Sequence, residues 1–135
     1  MDARELRIGN YIQYFGNVVQ VEGIVNESNG FGLQLNGGDF ASINSNSLEH
    51  DPLTEEWLLR FGFVKEVEYK KKINFSRFHL FQISASNPYN DNENEFKVNF
   101  YQSKQCVELC RIKYVHQLQN LYFALTGEEL TLKTK

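Results

Sequence analysis

The chain has 135 residues, 41% of them hydrophobic and 14% aromatic, which excludes a disordered polymer for most of its length. That length suffices for one domain or two small ones. Fourteen basic against seventeen acidic residues give a net charge of −3, so nucleic-acid binding driven by overall charge is disfavoured and only a local basic patch stays open.

The first fifty residues carry the period and punctuation of short strands. Residues 6–14 predict one strand, closed by the turn residues Phe15, Gly16 and Asn17. Residues 18–25 follow, with Val19 and Val21 on one face and Gln20 and Glu22 on the other. Phe31, Leu33 and Leu35 then alternate with Gly32, Gln34 and Asn36, the period of a half-buried strand. Gly37 and Gly38, flanked by Asn36 and Asp39, predict a hairpin, with residues 40–43 as the returning strand. Four or five short strands on tight turns predict a small SH3-like, partly open β-barrel or meander over residues 1–50.

A short helix with both ends written into it comes next. Thr54 is the expected N-cap, and Glu55 and Glu56 favour the dipole of the first turn. Gly62 supplies a left-handed C-terminal residue, after which Phe63 can fold back on Leu58. Trp57, Leu58 and Phe61 share the expected buried side. Residues 64–112 return to strand periodicity, with Phe78, Leu80, Phe81 and Ile83 forming a dense apolar run. Residues 86–95 are polar and unpatterned and read as a loop or hairpin tip. Phe96, Val98 and Phe100 mark another strand, and Val107 and Leu109 face one side of the next. A three- or four-stranded antiparallel meander is expected here.

The last helix spans residues 114–126, with Val115, Leu118, Leu121, Tyr122 and Leu125 as its apolar stripe and Gly127 as its stop. The fold class is therefore α+β, a β sub-domain over 1–50 followed by an α-β-β-β-α unit over 51–135. The boundary is expected within residues 49–53.

No nucleophile elbow, phosphate-cradling loop or zinc-protease pattern occurs, so no catalytic residue and no cofactor is expected and the reading leans away from an enzyme. Cys106 and Cys110 lie in a strand-like run, about 13 Å apart, too far for a disulfide or a shared metal. They read as buried free thiols. Of the three histidines, His50 falls in a linker between Glu49 and Asp51 and His79 in an aromatic strand. None repeats a known metal-ligand spacing, so no metal is expected. His116 shares the last helix with Gln117, Gln119 and Asn120. These four are either hydrogen-bonded to the adjacent sheet or the residues of a partner-binding face. Lys70, Lys71, Lys72 and Arg77, interleaved with Tyr69, Phe75 and Phe78, are the candidates for single-stranded nucleic acid. Glu66 and Glu68 dilute that stretch, and a lysine run also protects a sheet edge from aggregation.

Three blocks carry a resemblance. They are Leu6-Arg7-Ile8-Gly9-Asn10-Tyr11, the run PLTEEWLLRFGF at residues 52–63, and the run KYVHQLQNLYFALTGEEL at residues 113–130. Together they resemble a family of short uncharacterised proteins from Bacteroidetes, their phages and integrated mobile elements. The resemblance implies a phage or mobile-element setting and brings no activity, ligand or catalytic residue with it.

A charged N-terminus with no apolar run behind it does not look like a signal peptide, and no stretch is apolar enough to span a bilayer. The expected place of action is the bacterial cytoplasm, including a cell under phage infection, with no membrane partner. The leading expectation is a non-enzymatic accessory protein that binds another protein. The alternatives are a nucleic-acid-binding accessory protein and, third, a small-ligand binder or enzyme. Self-association through a strand edge is compatible with each.

Overall fold

Gly9 decides where the first strand begins. Its φ of 99° lies outside the strand region, and Arg7 and Asn10 close a tight turn around it. The Arg7 amide donates to Asn10 Oδ1 (2.7 Å) and the Asn10 amide to the Arg7 carbonyl (3.1 Å). The strand expected from residue 6 therefore starts only at residue 11, behind a single 3-10 turn at Ala3–Glu5. An added Cβ at Gly9 would meet nothing closer than Gln20 Nε2 at 4.0 Å, so space is not the constraint. Gly9→Ala should accordingly cost about 1–2 kcal/mol through the backbone alone, read as a lowered urea midpoint with an unchanged m-value.

The computed structural model describes residues 3–27, 30–67, 73–77, 81–85, 96–102 and 105–132. They form two compact units. The first comprises Met1–Asp51 with Tyr114–Glu129, and the second Pro52–Lys113 with Leu130–Lys135. The class is α+β, with antiparallel sheets and, among the described residues, two α-helices. Among the described residues no helix is long and apolar enough to cross a membrane.

The first unit holds β1 (Tyr11–Tyr14), β2 (Asn17–Glu27), β3 (Gly30–Leu35), β4 (Phe40–Ser42) and β5 (Leu48–His50), in the order β4-β3-β2-β1-β5. The β1–β2 turn is two residues long, with Phe15 at φ 50° and Gly16 at φ 75°, as a type I′ hairpin requires. The strand β2 serves two neighbours. Its first half pairs with β1, its register slips between Val21 and Gly23, and its second half pairs with β3. The slip, a β-bulge or similar irregularity, lies where β2 changes partner from β1 to β3. No closed barrel forms among the described residues. Ile12, Val21, Leu33, Leu35, Ala41, Ile43 and Leu48 make the core, with Tyr14, Val19 and Ile24 packed against it.

One strand of this sheet falls where a linker was expected. Leu48–His50 pairs with β1, placing His50 opposite Ile12. His50 is consequently half-buried rather than solvated.

In the second unit, α1 (Glu55–Arg60) has the expected ends. Thr54 Oγ1 accepts from the Trp57 amide at 3.4 Å. At the other end the Phe63 amide reaches the Leu58 carbonyl and the Gly62 amide the Leu59 carbonyl, the paired bonds of a Schellman cap. Leu58, Phe61 and Phe63 are buried, and Trp57 stacks on Phe61 at 5.4 Å between ring centres. Among the described residues the meander has five strands where three or four are expected: β6 (Val64–Val67), β7 (Ile73–Arg77), β8 (Phe81–Ala85), β9 (Phe96–Gln102) and β10 (Gln105–Ile112). They pair in sequence order, each antiparallel to the next. Lys65 of β6 pairs with Glu55 of α1 at 2.6 Å. A bulge between Glu108 and Cys110 breaks the alternation of β10, which leaves Leu109 exposed where simple period-2 reading buries it.

The second helix, α2 (Val115–Thr126), belongs to the first unit, although in sequence it follows the meander. Gln117 Oε1 accepts from the Tyr114 amide at its start, and Gly127 at φ 74° ends it. Its buried face is narrower than the expected stripe. Val115, Leu118 and Tyr122 are buried, Leu121 is half-buried and Leu125 is exposed, while the polar His116 and Gln119 are buried among them.

Candidate functional site

The polar residues of α2 meet the turn around Gly9. Gln119 inserts its amide against the start of β1, with Oε1 accepting from the Tyr11 amide (2.9 Å) and from Asn10 Nδ2 (3.4 Å). Its Nε2 donates to the Gly9 carbonyl at 2.9 Å, which also accepts from Gln20 Nε2 at 3.1 Å. Asn120 lies one residue on, accepting from Asn10 Nδ2 (2.9 Å) and Arg7 Nη1 (3.3 Å) and donating to the Glu5 carbonyl (2.7 Å). The Arg7 guanidinium also reaches Glu129 and lies over the Phe123 ring at 4.0 Å. Asn10 and Gln119 are both buried, so each polar atom in this seam needs a protein partner. The turn explains why an amide fits here: one carboxamide bonds both the Gly9 carbonyl and the Tyr11 amide at the start of β1.

Of the residues that sequence reading singled out on α2, Gln119 and His116 are buried and Gln117 and Asn120 half-buried. Gln119 and Asn120 are hydrogen-bonded to the turn before β1, and Gln117 to the start of its own helix. Arg77 closes β7 opposite Phe81. Lys70, Lys71 and Lys72 lie outside the described residues, as do Tyr69, Phe78 and His79. Cys110 is a half-buried free thiol, and burial pushes its pKa up.

His116 belongs to a second cluster. Its ring stacks on His50 at 4.5 Å between centres, and Tyr114 flanks the pair at 4.8 Å from His50 and 5.9 Å from His116. His116 Nε2 stands 3.9 Å from a carboxylate oxygen of Glu5. The three segments bring one ligand atom each from Glu5, His50 and His116 within 4.8 Å of one another. Burial, helped by the neighbouring His50, holds the His116 pKa down at about 4. Burial also lowers that of His50, against the opposing pull of Glu5. Both rings are therefore neutral at neutral pH, and the His116–Glu5 approach is not an ion pair there. Neither ring nitrogen of His116 has a hydrogen-bond partner, nor does Nδ1 of His50.

Sequence reading passed over this cluster for a specific reason. Metal-ligand spacings are recognisable when two ligands come from one turn or one strand. Here each comes from a different element: the 3-10 turn, the end of β5 and the first turn of α2. The one usable signal was a histidine on the buried face of an amphipathic helix.

Comparison with known protein families, with curated proteins and with solved structures gives no match.

Proposed function

We propose that the chain is a non-enzymatic accessory protein of a Bacteroidetes phage or mobile element, acting in the bacterial cytoplasm by binding another protein. The presenting scaffold in this reading is the first unit as a partly open SH3-like barrel. The strand order β4-β3-β2-β1-β5 and the register slip in β2, which pairs with β1 along one half and β3 along the other, support that architecture. The observation that carries the binding reading is an apolar patch on the outer face of the β2–β4 half. Phe40 is 47% exposed with its ring lying over Gly32, and Val25, paired with Gly32 in the neighbouring strand, is 38% exposed. A large aromatic ring held flat on a sheet against a glycine, with an aliphatic neighbour, is rigid contact area that costs little entropy to dock. The amide seam of α2 plays a scaffolding role in this reading, holding the helix on the sheet.

The test uses two variants that disturb the patch differently. Phe40→Gln removes the ring. Gly32→Ala keeps it but places a Cβ where the ring now sits, 2.3 Å from its nearest atom, and so swings it aside. Both should retain the far-UV circular dichroism of the parent. In pull-downs from a Bacteroidetes lysate treated with nuclease, both should recover a stoichiometric protein partner at least about tenfold less well than the parent. Recovery that disappears on nuclease treatment would instead favour nucleic-acid binding, with Lys70, Lys71, Lys72 and Arg77 as the residues to replace next.

A further inference from the structure

We propose that Glu5, His50 and His116 form a three-ligand site for one divalent transition-metal ion of the zinc type. The inference goes beyond protein binding and does not depend on it.

His116 is the starting point. Its side chain is 1% exposed, and neither Nδ1 nor Nε2 has a hydrogen-bond partner. A neutral imidazole carries one N–H donor and one lone pair, and buried polar atoms without partners ask for a specific explanation. A second ring in the same state stacks on it, since Nδ1 of His50 is also buried without a partner. Two imidazoles with unused lone pairs side by side gain nothing from each other. A cation placed between one nitrogen of each ring and a carboxylate oxygen uses both lone pairs at once. It also gives the Glu5 carboxylate a counter-charge.

The donor set selects the ion. Two imidazole nitrogens and one carboxylate oxygen suit zinc and its first-row neighbours; calcium and magnesium take oxygen ligands. Ligand atoms on a tetrahedral zinc lie about 3.3 Å apart, given bonds near 2.0–2.1 Å. The three present here lie within 4.8 Å of one another, so closing the site takes a contraction of at most about 1.5 Å. Glu5 is the partner able to move, because its side chain is 56% exposed and sits on a single turn, whereas the rings are held by β5 and α2. Three protein ligands leave the fourth position to water or to an incoming group. A bound ion would tie the 3-10 turn, β5 and α2 together across the first unit.

The experiment starts from full-length protein stripped with a chelator and dialysed. Zinc is titrated by calorimetry and cobalt(II) by visible absorption, with magnesium and calcium as controls. One equivalent of zinc should bind, the thermal midpoint should rise, and cobalt should give the d–d bands of a low-coordinate site. His50→Gln and His116→Gln should each weaken zinc binding at least tenfold. Since His116→Gln alters a buried position, Glu5→Gln serves as the exposed variant that leaves the fold intact, and it too should lower affinity. No saturable zinc binding by the parent would overturn the site. So would binding that Glu5→Gln and His50→Gln leave unchanged, because the ion would then be held elsewhere.

Discussion

Gln119→Leu is expected to destabilise the first unit by about 2–4 kcal/mol, the cost of leaving buried polar groups without their partners. Leucine fills a similar volume, so packing changes little and the effect isolates hydrogen bonding. The Tyr11 amide loses the Gln119 acceptor, Asn10 Nδ2 loses one of two, and the Gly9 carbonyl keeps only Gln20. For a unit of this size the thermal midpoint should fall by on the order of 10 °C or more. Leu125→Gln, on an exposed position of the same helix, should change stability by less than about 0.5 kcal/mol. If the two variants unfold alike, the amide seam does not hold α2 to the sheet.

Metal-free protein should lose stability as the pH falls from about 6.5 towards 4. The His116 pKa is near 6.5 in the unfolded chain and about 4 in the folded one. Between those values the unfolded chain binds a proton that the folded chain refuses, so stability rises with pH across that window and is fully present above it. Among the described residues the groups facing His116 are the His50 ring, the Glu5 carboxylate and the Tyr114 ring. His50 is lowered in the same direction and adds to the same slope. The His116 share is at most about 3 kcal/mol. Urea midpoints of chelator-treated protein at pH 7.5 and pH 4.5 measure it, and His116→Gln should flatten the difference. A parent protein equally stable at both values would mean that the ring is not held neutral by burial.

The parts of this fold legible in the sequence were those governed by neighbours along the chain. The caps of α1 at Thr54 and Gly62, the hairpin at Gly37 and Gly38 and the stop of α2 at Gly127 each depend on a few consecutive residues. The strand β5 was not legible, because Leu48, Glu49 and His50 have too little length for a period and are strand only through pairing with β1. The bulge at Leu109 is a property of the β9 partner as much as of β10. The candidate site was half legible. The polar character of α2 marked His116, Gln117, Gln119 and Asn120 as unusual. What they face, the Gly9 turn and the Glu5 and His50 side chains, comes from the opposite end of the sequence. Periodicity reports that a face is apolar or polar; it carries no information about which distant segment covers it.

The first unit is assembled from two stretches of chain with Pro52–Lys113 between them. A ribosome adding roughly 5–20 residues per second leaves the β1–β5 segment waiting for several seconds before α2 exists. During that interval the Tyr11 amide and the Gly9 carbonyl lack the Gln119 carboxamide that later covers them, and the edge of the nascent sheet near them is open to other chains. The order of emergence thus leaves the first sheet to persist through several seconds of synthesis without the helix that completes it.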